Sequence, residues 1–153
     1  MSFQVVGLKD VNKVFQELAD EIGDKKATSK ILVPAVREAM KPVLQAARAD
    51  APEDTGALKR SLQIEARRPN RRDKKSKYVS STDNVIAVVT TASGKKLKKM
   101  GIKSDARSIA QEFGTAKIPA HPYLRPALES ESFNVANKLG AIISKRLDKY
   151  KTR

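Results

Sequence analysis

The chain contains no cysteine, no tryptophan and a single histidine among its 153 residues. The absence of thiols excludes a disulfide framework and thiolate metal sites. The one histidine, His121, has no second imidazole or thiol with which to share a metal ion or a proton. We therefore expect it to pack or to form a hydrogen bond at a turn, rather than to take part in catalysis or metal binding.

Long apolar runs and aromatic residues are also scarce. No run is long enough to span a bilayer, and the N-terminus lacks the charged and apolar segments of a signal peptide. We therefore expect a soluble protein with no membrane partner. Because aromatic residues make up only 5% of the chain, the core must consist of Val, Ile, Leu and Ala. The length suits one domain over residues 1–153 with a real core.

The residue sets that carry chemistry are missing too. Gly94 and Gly114 are isolated, so no glycine-rich loop cradles a phosphate. Asp54, Thr55 and Ser61 are close in sequence, but no general base accompanies them in a catalytic context. The sequence therefore predicts neither an enzyme nor a cofactor.

Positive charge, by contrast, is in excess: the formal net charge is +14. This balance indicates affinity for nucleic acid, an acidic partner or a membrane surface. Two basic segments, residues 68–77 and 92–105, are predicted to be mobile loops that either are solvated surface or face DNA or an acidic protein. Their candidate contact residues are Arg67, Arg68, Arg71, Arg72, Lys74, Lys75 and Lys77 in or beside the first, and Lys95, Lys96, Lys98 and Lys99 in the second.

Two helices are predicted in the N-terminal third of the chain. Apolar residues recur at helical spacing over residues 8–22, and again from Ser29 to Arg48. Pro42 would remove a backbone hydrogen bond within the second helix, so we expect a kink or a break near Met40 and Lys41. Residues 3–6, ahead of these helices, are compatible with a short strand.

Strands are predicted in the middle of the chain. Residues 62–67 alternate between apolar and polar, which indicates a half-buried strand. The β-branched run over residues 85–91 predicts a strand that is buried on both faces. Residues 78–80 are compatible with a further pairing segment.

Two more helices are predicted toward the C-terminus. A short one over residues 106–113 would face Ile109, Ala110 and Phe113 inward. A long one begins between Pro122 and Pro126 and ends near Tyr150, with an apolar stripe that includes Leu128 and Phe133. The whole pattern predicts an α+β fold: two N-terminal helices, a small, mainly antiparallel sheet with long basic loops, and a long C-terminal helix.

Two short segments combine backbone-shaping residues with a few side chains suited to burial. In residues 51–62, Asp54-Thr55-Gly56 is typical of a turn that requires a positive φ at the glycine. In residues 112–127, a glycine stop precedes an extended stretch with several prolines. We predict structural roles for Asp54, Thr55, Gly56, Leu58 and Ser61 in the first segment, and for Glu112, Phe113, Gly114, Thr115, Pro122, Tyr123, Leu124, Arg125 and Pro126 in the second.

Arg125 has two interpretations. Its guanidinium can bridge to a carboxylate within the subunit or in a neighbouring one. Alternatively, Tyr123, Leu124 and Arg125 simply cap the last helix and fill its own core. The sequence leaves both open.

The two segments, in this order and at this spacing, resemble the tail-completion (head–tail joining, or neck) family of long-tailed bacteriophages, a group similar to lambda's tail-completion protein. The resemblance rests on Gly7-Leu8 before the first helix, on residues 51–61 and on residues 112–127, and it covers nearly the whole chain. The basic segments 68–77 and 92–105 depart from it, because they are longer and more basic than the family pattern.

The resemblance implies a virion structural protein of the neck, made in the host cytoplasm and located between head and tail. It further implies a homo-oligomeric ring, a hexamer, that joins the tail to the DNA-filled head. The implied partners are a head-closure or adaptor protein and a tail terminator protein, with double-stranded DNA in the lumen. A small basic protein that binds nucleic acid without sequence preference is the alternative.

Overall fold

The computed structural model describes residues 8–53, 56–103 and 107–152. It has the predicted α+β fold, with helices at both ends of the described part and a two-stranded antiparallel sheet between them. The strand predicted at residues 3–6 lies outside the described residues. None of the described helices combines the length and the apolarity needed to cross a membrane.

The N-terminal region is helical almost without interruption. Gly23, with φ of +89°, separates the first helix from the second. The break predicted near Met40 and Lys41 is confirmed, because one helix ends at Ala39 and the next begins at Lys41. The elements here are α1 (Leu8–Ile22), α2 (Asp24–Ala27), a π-helical turn (Thr28–Leu32), α3 (Val33–Ala39) and α4 (Lys41–Asp50).

A short helix, α5 (Ala57–Ser61), leads directly into the sheet of β1 (Leu62–Arg67) and β2 (Ile86–Thr91). The amide of Ala92 donates to the carbonyl of Ser61 at 2.7 Å, which extends the antiparallel pairing beyond the strand ends. The prediction that β2 is buried on both faces is wrong: Val88 is 43% exposed. A sheet of two strands has too few neighbours to cover both of its faces.

The basic segments contain more regular structure than the sequence indicated. A 3₁₀ turn at Asp73–Lys75 lies in the first, and the helix α6 (Gly94–Lys99) occupies much of the second. Leu97 anchors α6 by packing against Ala92 and Ile102. Residues 78–80 form no strand. The last two helices are α7 (Arg107–Phe113) and α8 (Leu124–Lys151).

The chain divides into two compact units, of which the first consists of Met1–Met40, Glu65–Val88 and Phe133–Arg153. Its core joins Leu18 and Ala19 of α1 and Ile31 of the π-helical turn to Ile143 and Leu147 of α8. The apolar stripe predicted for α8 is therefore correct in this part of the helix. It is wrong for Phe133, which is 62% exposed.

The second unit consists of Lys41–Ile64 and Val89–Ser132. Its largest buried side chains are those of Tyr123, Leu62 and Val43. The guanidinium of Arg48 on α4 donates to the carbonyl of Leu62 at 2.8 Å and so ties that helix to the start of β1. This unit contains both of the short segments singled out above, residues 51–62 and 112–127.

Candidate assembly site

The second segment is organised around the carboxylate of Glu112 at the end of α7. Glu112 is only 5% exposed, and its carboxylate accepts hydrogen bonds from three consecutive backbone amides at the start of α8. Oε2 accepts from Tyr123 at 2.9 Å and from Leu124 at 2.8 Å, and Oε1 accepts from Arg125 at 3.1 Å. The next residue, Pro126, has no N–H. One side chain therefore satisfies the free amides of the first turn of a 28-residue helix.

The charge of Glu112 is favoured by this geometry. Burial alone would raise the pKa of the carboxyl group, but the amides of Leu124, Tyr123 and Arg125 and the nearby Arg125 guanidinium outweigh burial and lower the pKa. The positive end of the helix dipole acts in the same direction. Glu112 is thus held as a carboxylate, and the helix start is held against α7.

Tyr123 provides a second link between the same two helices. Its side chain is fully buried, and its hydroxyl lies 2.8 Å from the hydroxyl of Ser108 on α7. Burial raises the pKa of Tyr123, the Ser108 hydrogen bond lowers it, and the charge of Glu112 raises it further. The phenol therefore stays neutral and forms a hydrogen bond with Ser108 in which either hydroxyl can donate.

The turn after α7 brings the chain back on itself. Gly114 has φ of +73°, and a Cβ there would lie 2.8 Å from the amide nitrogen of Ala120. The amide of Thr115 donates to the carbonyl of Ile118 at 2.8 Å, and that of His121 donates to the carbonyl of Gln111 at 2.7 Å. At this turn the hydrogen bond of His121 is made by its backbone amide, and its side chain is exposed rather than packed.

The first segment is also set by backbone geometry. Gly56 has φ of +69°, as the turn prediction requires. Ser61 is buried and donates from Oγ to the carbonyl of Leu58 at 2.7 Å. Asp54 and Thr55 lie outside the described residues. A cleft of about 510 Å³ is lined by Gly56, Leu58 and Ser61 of this segment and by Ser108 and Gln111 of α7, so the first segment and α7 share one surface depression.

Helix α7 is inverted with respect to an ordinary surface helix. Its inner positions, Ser108 and Glu112, are polar and 9% and 5% exposed. The apolar residues at the next positions, Ile109 and Phe113, are 68% and 67% exposed. The prediction that these two face inward is therefore wrong. The inner face is occupied by the polar groups that bond to Tyr123 and to the start of α8.

Three further predicted residues lie near the surface. Arg125 is exposed, and its backbone amide rather than its guanidinium makes the bond to Glu112. Pro122 and Pro126 are exposed as well. Leu128, predicted within the apolar stripe of α8, is 49% exposed, so the prediction is wrong for this residue.

The two basic clusters differ in how they are held. The first is tied by ion pairs within its own unit: Arg67 bonds to both Glu65 and Asp73, and Arg68 lies 3.4 Å from Asp24. In the second, on α6, Lys96 donates to Oε1 of Gln63 at 2.6 Å. The remaining predicted cations are exposed: Arg71, Arg72, Lys74, Lys75 and Lys77 in the first cluster, and Lys95, Lys98 and Lys99 in the second.

Within the described ranges, the histidine and the acidic residues form no group of three that is suited to hold a metal ion. The polar side chains here instead have structural roles: Glu112 caps α8, and the hydroxyl of Tyr123 bonds to that of Ser108 on α7. Sequence reasoning missed this use of Glu112. A signal was available, because the start of α8 carries no Ser, Thr, Asp or Asn of its own to act as a cap.

This arrangement defines an α+β protein in which the residues of the two short segments shape turns and cap a helix. A family profile described as "Bacteriophage HK97-gp10, putative tail-component" matches residues 9–114. The chain belongs to this HK97 gp10-like family. Comparisons with curated proteins and with solved structures give no match.

The family match confirms the coarser part of the resemblance, a bacteriophage tail family. It does not extend to the tail-completion proteins similar to that of lambda. The matched range includes the first segment and ends at Gly114, within the second. Residues 122–126 and the whole of α8 lie beyond it.

Proposed function

We propose that this protein is a structural component of the virion neck, a tail-completion protein that forms a ring and joins the tail to the DNA-filled head. Membership of a bacteriophage tail-component family supports a place in the virion. The observation that carries the proposal is the inverted helix α7. A helix that buries its polar residues and exposes Ile109 and Phe113 is suited to contact another protein.

The structure of the site supports a role in assembly. Ile109 and Phe113 are four residues apart and therefore lie on the same face of α7. Behind them, the three bonds of Glu112 and the Ser108–Tyr123 bond fix α7 to the start of α8. An apolar surface on a fixed support loses little conformational entropy when a partner covers it.

The partner that we propose for this surface is a neighbouring copy of the same chain in a hexameric ring. Each copy has a net charge of +14, so contacts between basic surfaces would be repulsive. Ile109 and Phe113 carry no charge and offer a contact without that cost. The other partners in the proposal are a head-closure or adaptor protein, a tail terminator protein, and double-stranded DNA in the lumen.

The proposal assigns no catalytic role to the protein. The buried polar groups of the second segment are engaged with backbone amides and with one another. Such groups stabilise a shape. We propose the virion neck as the site of action and the host cytoplasm as the place of assembly.

Disruption of the gene in its phage tests this function. We expect filled heads and separate tails in lysates, and few joined particles, by electron microscopy. Complementation with the wild-type gene should restore joining. Normal yields of infectious particles without the protein would contradict the proposal, and purified protein that forms no ring under any condition would contradict the ring.

A further inference from the structure

The connection between β1 and β2 is a built turn that presents cations. The side chain of Asn70 accepts hydrogen bonds from the amides of Arg72 at 2.8 Å and Asp73 at 3.0 Å. In return, Oδ2 of Asp73 accepts from the amide of Asn70 at 2.6 Å. This reciprocal pattern resembles a capping box, and it closes the bend that leads into the 3₁₀ turn at Asp73–Lys75.

An ion pair fixes the turn to the end of β1. The guanidinium of Arg67 holds Asp73 with two nitrogens, one of them 3.0 Å from Oδ1, and its Nε lies 2.6 Å from the carboxylate of Glu65. The hydrogen bond from Arg67, together with that from the Asn70 amide, lowers the pKa of Asp73 to about 2. Asp73 is therefore charged at neutral pH, and its carboxylate is paired with Arg67 and the amide of Asn70.

The turn leaves its other cations without a carboxylate. The second acid of this connection, Asp83, accepts from the amide of Ser80 at 2.8 Å. Arg71, Arg72 and Lys75 are exposed and have no acidic partner in the part of the chain that the structure describes. The acidic side chains of this connection thus bond to its own backbone, while Arg71, Arg72 and Lys75 are exposed to solvent.

The chemistry around these cations indicates what they bind. Of the side chains over residues 70–84, the only large apolar one that is fully exposed is Tyr78, at 82%, with the Lys77 ammonium 5.0 Å from its ring centre. The other exposed uncharged groups are hydroxyls and amides such as Ser76, Ser81 and Asn84, and Asp83 is the one exposed acidic residue of this stretch. A protein interface has an apolar centre, whereas nucleic-acid interfaces are polar, positive and rich in hydroxyl contacts to phosphate.

We propose that residues 70–78 form a preorganised contact surface for the phosphate backbone of DNA, without base recognition. Binding is a property of the single subunit. This inference rests on the proposed function only for the position of the DNA beside the turn. DNA binding by the turn can therefore be absent even if the protein is a neck component.

Two triple variants of the full chain test this surface. R71S/R72S/K75S removes three cations from the turn, and K95S/K98S/K99S removes three exposed cations from α6, so both have the same net charge. We measure binding to a short labelled duplex of mixed sequence from about 50 to 200 mM salt. The turn variant should lose about tenfold or more in affinity, and its log–log salt slope should fall by roughly 2 to 3 units, while the α6 variant should stay near wild type.

Equal binding by the two triple variants would overturn the proposal. If the turn variant also fails to join heads to tails while it binds DNA normally, the turn contacts an acidic protein surface instead. Single-stranded DNA of the same sequence distinguishes backbone contact from stacking on Tyr78: Y78A should reduce single-strand binding more than duplex binding.

Asp73→Ala separates preorganisation from bulk charge. This change adds one positive charge, so simple attraction predicts tighter DNA binding. A preorganised turn predicts the opposite, a loss of several-fold, because Arg67 and the Asn70 amide lose their common acceptor. Asp148→Ala, an exposed site on α8, adds the same charge elsewhere and should not weaken binding. Tighter binding by D73A than by D148A would overturn the preorganised surface.

Discussion

At the scale of single residues, the carboxylate of Glu112 has the largest structural role in the second segment. It accepts from three consecutive amides at the start of α8. Loss of a helix cap costs about 0.5–2 kcal/mol, and loss of a buried charged acceptor costs more. Substitution of Glu112 therefore tests whether its carboxylate stabilises the second segment.

We predict that Glu112→Gln lowers the free energy of unfolding by about 1–2 kcal/mol, since the amide has one acceptor oxygen and no charge. Thermal unfolding should show a decrease of about 2–4 °C per kcal/mol. Glu129→Gln, the same change at an exposed position of α8, is the control and should leave the unfolding temperature unchanged. Equal unfolding temperatures for both variants would contradict the cap.

The pH dependence of the same variant gives an independent check. The pKa of Glu112 is lower in the folded protein than its ordinary value of 4.5. Its stabilising effect is therefore complete above about pH 4.5 and is lost as the pH falls through the folded pKa. The stability difference between wild type and E112Q should shrink in acid, and a constant difference would exclude this linkage.

Tyr123 should behave in the opposite sense, at high pH. Burial, together with the charge of Glu112, raises the pKa of the phenol above its ordinary value of 10.0, although the Ser108 hydrogen bond opposes this. The unfolded chain then loses this proton first, so wild type should lose stability as the pH rises above 10. Tyr123→Phe should lack this loss, while costing about 1–3 kcal/mol at neutral pH because Ser108 loses its partner. S108A/Y123F should recover part of that cost.

At the scale of elements, the turn after α7 depends on a close approach of the chain to itself. Gly114 and Gly101 have nearly the same positive φ, +73° and +69°. A Cβ at Gly114 would lie 3.1 Å from the carbonyl oxygen of Ile118 and closer still to Ala120, whereas one at Gly101 would meet nothing within 4 Å. The two glycines thus share the left-handed backbone conformation, but only Gly114 is also in close contact with another part of the backbone.

We predict that Gly101→Ala costs about 1–2 kcal/mol, from the left-handed conformation alone. Gly114→Ala should cost at least about 1 kcal/mol more, because the added methyl group also displaces the backbone at Ala120. Chemical denaturation of both variants gives the difference directly. Equal costs would mean that the loop at 118–120 moves away without resistance.

Several elements could be predicted because their causes are local. The alternation in residues 62–67 identified β1, and the prolines around residue 124 located the start of α8. The break at Met40 followed from Pro42. The helix α6 could not be predicted, because Gly94–Lys99 has a single buried apolar residue, Leu97, and four lysines. Its anchor comes from Ala92 and Ile102, outside the helix.

The sequence predicts which residues belong to the candidate site, but not the contacts that they make. The positive φ of Gly56 followed from turn chemistry, and the motif residues of both segments do lie in one unit. The spacing of apolar residues shows which of them share a helix face, but not what covers that face, so the sequence alone predicts Ile109 and Phe113 to be in the core. The cap by Glu112 depends on a fold-back of the chain that no helical or strand period encodes.

At the scale of the whole molecule, the proposed ring must bring together subunits that each carry +14. Self-repulsion among them is screened by salt, while apolar contacts are not weakened by it. Assembly through Ile109 and Phe113 should therefore become more favourable as the ionic strength rises. Sedimentation velocity over a range of salt concentrations measures this trend.

We predict that I109S/F113S abolishes assembly without lowering the unfolding temperature of the subunit, because both side chains are about two-thirds exposed before contact. Met100→Ser, a change at a 41% exposed apolar residue outside α7, is the matched control and should leave assembly intact. A double variant that assembles like wild type would assign the subunit contact to a different surface.

The short reach of the Glu112 cap has a consequence for the order in which the chain folds. The carboxylate and its three amides are separated by 11 to 13 residues, so closing this loop costs little entropy and is fast. During synthesis, the segment from α7 to the start of α8 can close as soon as residue 125 is available. The core around Leu18 and Ile31 must wait for Ile143 and Leu147, near the end of the chain. In this order, the segment that carries Ile109 and Phe113 takes its shape before α1 is buried, so the apolar side of α1 stays uncovered for longer during folding.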